Sequence, residues 1–262
     1  MPLGDYDEYE FTHEGKARRV FRRGEGPAVV VTAEIPGITP KVIEFADRVV
    51  DIGCTAVVPH LFGTPGAPPT VLRSMGVATW GICVSREFTT FATGRTSPVT
   101  AWLRALGAHE HERCGGPGIG AVGMCFTGGF ALGMMVDDRL LAPVLSQPSL
   151  PLSFSKRQRR DLGISDDDLA RVKQRAEAGC EVLGLRFTGD RLVPGARFRR
   201  LQEELGDAFV GVEIDSSAGN THGFPRTAHS VLTEHLVDEP GDPTRDALDR
   251  VLDLFRSRLL AA

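Results

Sequence analysis

The sequence lacks paired cysteines. It has five cysteines in 262 residues, and none of them belongs to a CxxC motif. A disulfide framework or a zinc site would need an even or more closely spaced set. The five are scattered along the chain at Cys54, Cys83, Cys114, Cys125 and Cys180. We therefore expect reduced thiols in a cytoplasmic protein, with one thiol available for chemistry.

Long apolar runs and an excess of basic residues are also absent. The first twenty residues contain acids and no run of signal-peptide length, and no later segment approaches the roughly 20 apolar residues that span a bilayer. The formal net charge is -4, whereas a nucleic-acid-binding domain needs a basic face. We expect no membrane or nucleic-acid partner, a small-molecule substrate, and a monomer or small homo-oligomer.

Apolar residues are plentiful and regularly placed. With 42% hydrophobic and 24% charged residues, the chain can bury the core of a single domain over residues 1–262. Short apolar runs alternate with amphipathic stretches, which predicts an α/β fold with a mostly parallel central sheet and helices on both faces. The predicted strands are 27–33, 54–59, 77–84, 119–124, 140–145, 180–187 and 209–214.

Helix starts are marked by N-cap residues, in three cases followed by proline. They fall at Thr39-Pro40, Ser97-Pro98, Ser165 and Asp242-Pro243. Residues 147–179 interrupt the alternation of strands and helices with prolines and charged residues. We expect this segment to form a cap over a functional site.

A candidate nucleophile follows the predicted strand 119–124. This apolar strand runs into Cys125, a small-residue turn and then a helix, which is typical of a nucleophile elbow. Such a turn needs small residues two positions before and after its centre; Gly123 meets this demand fully and Thr127 partly. The helix start favours a thiolate, and the Phe126 N–H is a candidate oxyanion donor. Alternatively, Cys125 is a small buried hydrophobe.

An acid and a base are expected after the next strands of an α/β sheet, in that order. Asp190 follows the predicted strand 180–187, although it could instead be a turn residue that caps a helix. His222 lies in a polar loop after strand 209–214, flanked by small and polar residues. In this hypothesis His222 accepts the thiol proton, Asp190 orients the imidazole and Cys125 carries an acyl group. No metal or cofactor is required.

The other histidines are assigned other roles. His60 follows the strand 54–59 and could line the substrate pocket. The rest are expected at surface or packing positions, with the last two on a helix: His13, His109, His111, His229 and His235.

The glycines of residues 118–123 allow an alternative function. Gly118, Gly120 and Gly123 have the spacing of a dinucleotide-binding motif. That motif needs a strand before its glycines, and no such strand precedes Gly118. Because this context does not fit the motif, a nicotinamide-dependent oxidoreductase is kept only as a weaker alternative.

Together these motifs resemble the dienelactone hydrolase family of carboxymethylenebutenolidase-like α/β-hydrolases. The family has a Gly-x-Cys-x-Gly-Gly elbow, an Asp-x-x-Val-Pro segment and a triad histidine in a loop before a helix. The matching residues here are 123–128, 190–194 and 219–222. A family Glu-Ile-x-Gly sequence matches 34–37, and Arg226 follows His222 by four residues, as in the family. The resemblance covers roughly residues 10–258.

The resemblance implies further roles. Glu34 would contact the resting thiol and move aside for substrate, and the Ile35 N–H would complete the oxyanion hole. Arg226 would hold a substrate carboxylate together with Arg86 or, as the alternative, Arg95. Taken alone, Glu34 could be a turn residue and Arg226 a helix-surface cation.

The implied function is hydrolysis of a small anionic lactone or ester. Two features depart from the family pattern: Thr127 replaces an elbow glycine, and the tyrosines, Tyr6 and Tyr9, lie near the N-terminus. Thr127 suggests an alternative, a hydrolase-fold protein without turnover that binds a ligand or senses oxidation through its thiol.

Overall fold

A computed structural model describes residues 3–69, 96–150 and 155–261. Its described strands form one sheet in the order β1-β2-β4-β3-β5-β6-β7-β8. Strands β3 to β8 are parallel to one another, and β2 is antiparallel to both β1 and β4. The strands are β1 (Asp7–His13), β2 (Lys16–Arg23), β3 (Ala28–Thr32), β4 (Thr55–Pro59), β5 (Ile119–Met124), β6 (Leu140–Ser146), β7 (Val182–Phe187) and β8 (Phe209–Ile214). The predicted α/β fold is confirmed.

The helices begin where the N-cap residues indicate. The Thr39, Ser165 and Asp242 side chains each accept a backbone N–H of the first helical turn, as caps do. The helices are α1 (Pro40–Asp51), α2 (Pro98–Cys114), α3 (Gly128–Met134), α4 (Lys156–Arg160), α5 (Asp166–Glu177), α6 (Gly195–Leu205) and α7 (Pro243–Phe255). No helix among the described residues is long and apolar enough to cross a membrane.

Two apolar layers cover the sheet. Strands β3, β4 and β5 are buried at every position, so consecutive residues face opposite layers and no polar alternation is needed. One layer includes Trp102 of α2 and Phe130 of α3. The other includes Phe45 of α1 and Phe255 of α7. Helices therefore lie on both faces of the sheet.

Several expectations are corrected or fall outside the described residues. The hairpin of β1 and β2 was not predicted, because its charged outer face hides the alternation of half-buried residues. Helix α5 connects β6 to β7 and packs against α3 and α6, so this part of 147–179 is a crossover connection, and a cap role for the whole segment stays a prediction. The predicted strand 77–84 lies outside the described residues.

The sheet order places functional groups at one edge. From β3 the chain moves outward to β4 and then crosses back over β3 to reach β5. Such a reversal opens a crevice at the carboxyl ends of the two strands, where α/β proteins bind ligands. The residues after β3, β5, β6, β7 and β8 therefore meet at this edge, and the loop after β8 runs through residues 215–242 before α7 begins.

Candidate active site

Cys125 lies in a strained turn at the end of β5. Its φ angle is +58°, a left-handed conformation that non-glycine residues seldom adopt. The turn Cys125–Thr127 leads directly into α3. A Cβ atom at Gly123 would lie 2.2 Å from the Thr127 carbonyl oxygen. Glycine is therefore required two residues before the cysteine, as predicted for a nucleophile elbow.

Thr127 strengthens this turn instead of distorting it. Its side chain is fully buried, and its hydroxyl accepts the Met124 N–H at 2.8 Å. The same hydroxyl is within donating distance of the Thr32 carbonyl, at 3.0 Å, and of the Met124 carbonyl, at 2.8 Å. These contacts tie the elbow to the end of β3. A threonine at this position is compatible with the elbow geometry.

A buried acid and a histidine form a second part of the site. The His229 Nδ1 lies 2.6 Å from the Asp190 Oδ2. Asp190 follows β7 and is 7% exposed, and its other oxygen accepts the Leu192 N–H at 2.9 Å. This carboxylate can therefore fix the tautomer and orientation of the imidazole, as in a catalytic triad.

His229 is also coupled to Cys125. Burial opposes the charged form of the imidazole, but the negative charge of the Cys125 thiolate and the hydrogen bond to Asp190 together raise the pKa of His229. Its Nε2 is buried and has no hydrogen-bond partner among the described residues. The Nε2 atom is thus available to accept a proton, and the negative charges of Asp190 and Cys125 both favour the protonated imidazole.

The structure corrects the predicted base: His229, and not His222, lies against Asp190. His222 is exposed and stacks on Phe224, with ring centroids 6.2 Å apart. His229 also lies in a loop, not on the expected helix. Its neighbours Ala228 and Ser230 are buried. The polar residues that flank His222 belong to an exposed part of the loop, whereas His229 reaches the buried Asp190 where the loop returns to the core.

Glu34 contacts the histidine loop in this structure. Its carboxylate is 4% exposed and accepts hydrogen bonds from Ser230 Oγ at 2.6 Å and Gln147 Nε2 at 3.2 Å. The Thr233 hydroxyl also donates to it. The expected contact between Glu34 and the resting thiol is therefore replaced by anchorage of the segment after His229. The Cys125 sulfur instead lies 3.1 Å from the Ser149 Oγ.

The expected oxyanion donors come from neighbouring strands. Strands β3 and β5 pair in parallel with Thr32 opposite Gly123. Ile35 and Phe126 follow these positions by three residues each, so both reach the same edge of the sheet. Phe126 belongs to an apolar cluster, and Ile35 and Cys125 pack against it. The role of the two N–H groups as oxyanion donors stays a prediction.

A cleft of about 400 Å³ opens beside the acid and the histidine. Arg226 lines it and precedes His229 by three residues; its role in substrate binding stays a prediction. Arg191, which sequence analysis did not single out, lines it too. Among the described residues, the lining is Gly189, Asp190, Arg191, Leu192, Arg226, Thr227 and His229. Arg86 and Arg95 lie outside the described residues.

His60 is not among the residues that line this cleft. Its Nε2 contacts the Gly63 carbonyl at 3.0 Å, and its Nδ1 lies 3.4 Å from the Arg19 guanidinium. Burial lowers the pKa of His60, partly offset by the Gly63 hydrogen bond. Both ring nitrogens therefore contact neighbouring protein groups, and a role of His60 in a pocket wall stays a prediction. Within the described ranges, no group of three or more His, Cys, Asp and Glu side chains could hold a metal ion.

The strand order, the elbow after β5, the acid after β7 and the histidine after β8 define an α/β-hydrolase fold. The family identity follows from the sequence profile of the dienelactone hydrolase family, which matches residues 17–259. The chain belongs to this family and is a hydrolase. No curated protein sequence matches it.

Solved structures share the fold at low sequence identity. A Klebsiella pneumoniae protein assigned to the dienelactone hydrolases is 16% identical, with a TM-score of 0.64 over 95% of this chain and 97% of that one. A dienelactone hydrolase-like promiscuous phosphotriesterase from metagenomic libraries is 16% identical, with a TM-score of 0.61 over 97% and 98%. A cold-adapted esterase from an Arctic intertidal metagenomic library is 15% identical, with a TM-score of 0.61 over 98% of both chains.

Proposed function

We propose that this protein hydrolyses small anionic carboxylic esters or lactones through a Cys125–His229–Asp190 triad. The observation that carries the proposal is the contact between the half-buried His229 and the buried Asp190, 2.6 Å apart. The negative charge of Cys125, which lies in a nucleophile elbow, also acts on His229. A nucleophile, a base and an orienting acid are the three groups that acyl transfer requires.

The proposed reaction has two steps. In the first, the Cys125 thiol transfers its proton to His229, and the sulfur attacks the carbonyl carbon of the substrate. The Ile35 and Phe126 N–H groups stabilise the oxyanion. The C–O bond then breaks, the leaving alkoxide takes the proton from His229, and a thioester remains on Cys125. For a lactone, the released hydroxyl stays on the acyl chain.

The second step consumes one water molecule. His229 removes a proton from water, which attacks the thioester carbonyl. The C–S bond breaks, the departing sulfur is reprotonated by His229, and a carboxylic acid leaves. Asp190 keeps the imidazole oriented throughout, and its negative charge stabilises the imidazolium that forms in each step.

The two cleft arginines support an anionic substrate. Arg191 and Arg226 are exposed, and neither has an ion-pair partner within the described part of the chain. Guanidinium groups bind carboxylates through paired hydrogen bonds. Both line the cleft that contains Asp190 and His229, so an anionic group held there would place the rest of the substrate near the triad.

The alternative functions gain less support. Thr127 suggested a hydrolase fold without turnover, but its hydroxyl tethers the elbow, which keeps the nucleophile geometry. The glycines that suggested nicotinamide binding have a packing role: a Cβ at Gly120 would lie 3.1 Å from the Phe255 ring. Gly120 and Gly123 lie within β5 rather than in a loop after a strand.

The test compares Cys125→Ala with Cys114→Ala, since both cysteines are half-buried and only one lies in the site. On carboxylate-bearing activated esters, Cys125→Ala should lower kcat/KM by at least about 10³-fold. Cys114→Ala should stay near the wild-type value. Unchanged turnover in folded Cys125→Ala would contradict the proposal. An absence of wild-type acylation across the ester panel, with reversible oxidation of Cys125, would favour the thiol-sensing alternative.

A further inference from the structure

Ser149 is bound to the nucleophile at two points. Its Oγ lies 3.1 Å from the Cys125 sulfur, and its backbone N–H donates to the Cys125 carbonyl at 2.9 Å. The side chain is 6% exposed. Ser149 follows β6, so it belongs to neither the elbow, the acid loop nor the histidine loop. It is a fourth polar group at the reacting atom.

The surrounding structure holds this hydroxyl in place. Gln147 has a φ of +38°, and its N–H donates to the Leu185 carbonyl at 2.7 Å. Pro148 packs so closely on Gly128 that a Cβ there would lie 2.7 Å from the proline Cα. The Pro148 carbonyl accepts a hydrogen bond from the buried Arg197 guanidinium at 2.8 Å. The Ser149 hydroxyl is therefore preorganised next to the sulfur.

The chemistry of the contact depends on the protonation of sulfur. A thiol can donate to the serine oxygen or to His229. Once His229 has taken the thiol proton, the sulfur can only accept, so the serine must donate to it. A hydrogen bond to a charged acceptor is stronger than one between neutral groups. The contact therefore favours the thiolate over the thiol.

We propose that Ser149 is a further catalytic residue, whose hydroxyl donates a hydrogen bond to the Cys125 thiolate before attack and again when the thioester breaks. The serine proton remains on its oxygen in both events, and the thiol proton moves only to and from His229. The inference rests on the proposed function for its catalytic consequence. The stabilisation of the thiolate can nevertheless be measured without turnover.

A stabilised thiolate has a recognisable reactivity pattern. Loss of the hydrogen bond reduces the thiolate fraction at low pH, but the thiolate that remains is more nucleophilic, because nucleophilicity rises with basicity. In Ser149→Ala, alkylation of Cys125 by iodoacetamide should be about 3- to 30-fold slower near pH 6. Near pH 9.5 it should equal or exceed the wild-type rate. A purely structural defect would not produce this crossover.

The experiment measures Cys125 alkylation from pH 5 to 10 by peptide mass spectrometry, with Ser257→Ala as the control. Ser257 donates to the Leu254 carbonyl far from the elbow, and its variant should match the wild type. Coincident profiles for Ser149→Ala and the wild type would overturn the proposal. If Ser149→Ala does not fold, folded Ser149→Thr should keep the wild-type profile, and a displaced profile would overturn it.

Failure of this inference and failure of the proposed function give different results. One outcome is that the wild type turns over no ester while the alkylation profiles of the wild type and Ser149→Ala cross. This would contradict the hydrolase mechanism and support the Ser149–thiolate contact. Ester turnover through Cys125 without the crossover would support the hydrolase and contradict the role of Ser149.

Discussion

Two segments of one loop, seven residues apart, each carry a histidine and are held in different ways. Around His222 the contacts are local: the Asn220 side chain accepts the Phe224 N–H at 3.0 Å and donates to the Phe224 carbonyl at 2.8 Å. Around His229 the contacts reach other strands, through Asp190 after β7 and Glu34 after β3. Only the second kind of contact fixes a side chain relative to the sheet.

This difference explains why His229 has a defined position although it lies in a long loop. Residues after His229 donate to buried acceptors: Ser230 and Thr233 to Glu34, and the Val231 N–H to the Gln147 side chain at 3.3 Å. Each bond satisfies a group that would be costly to bury unpaired. These hydrogen bonds anchor the loop directly after His229. The segment around His222 is exposed and lacks such anchors among the described residues.

The largest predicted difference separates the two histidines. His229→Ala should lower kcat/KM by about 10³-fold or more, because the thiol loses its base. His222→Ala should change kcat/KM by less than about twofold, since the exposed ring stacks on Phe224 and is not part of the His229–Asp190 pair. Steady-state kinetics on one activated ester measures both. Equal losses of kcat/KM in the two folded variants would contradict the assignment of His229 as the base.

The acid should have the next largest effect. Asp190→Asn keeps the shape of the side chain but removes the charge that orients His229, so kcat should fall by about 10²- to 10⁴-fold. Asp215→Asn is the control, since among the described residues Asp215 accepts the Ser217 N–H and a Thr188 hydroxyl at the exposed end of the loop. A loss in the control as large as that in Asp190→Asn would contradict the assignment of the acid.

The loop anchor should have a moderate effect. Glu34→Gln places an amide donor among three donors, which should loosen the segment after His229 and lower kcat by about tenfold with little change in KM. Glu234→Gln is the matched control, because Glu234 is an exposed carboxylate in the same segment, and partial burial, aided by the charge of Glu34, raises its pKa. A rise in KM alone would indicate that Glu34 contacts substrate and does not position the histidine.

The smallest effect is a titration shift. The Cys125 charge helps to raise the pKa of His229 against the opposing effect of burial. In Cys125→Ala this attraction is lost, so the pKa of His229 should fall, whereas Cys114→Ala should leave it unchanged. Histidine-labelled NMR titration measures the shift. An unchanged pKa in Cys125→Ala would show that the imidazole and the thiol are not coupled.

Local patterns predicted strands β3 to β8, the capped helices α1, α2, α5 and α7, and the elbow, since each depends on residues near one another in the sequence. The histidine could not be predicted in this way. Ala228, Ser230 and Val231 form a short buried segment around His229, but its partners lie about 40 and 195 residues away in the chain. The same limit applies to Ser149, whose contact with Cys125 depends on how β5 and β6 pair.

The most direct test of the triad is to find where the acyl group forms. Wild-type protein is mixed with a slow, carboxylate-bearing ester, quenched in acid and analysed by peptide mass spectrometry. We expect one acyl group on Cys125, which forms in His222→Ala as readily as in the wild type and is strongly reduced in His229→Ala. Hydrolysis of the ester with no adduct on Cys125, or normal acylation in His229→Ala, would contradict this expectation.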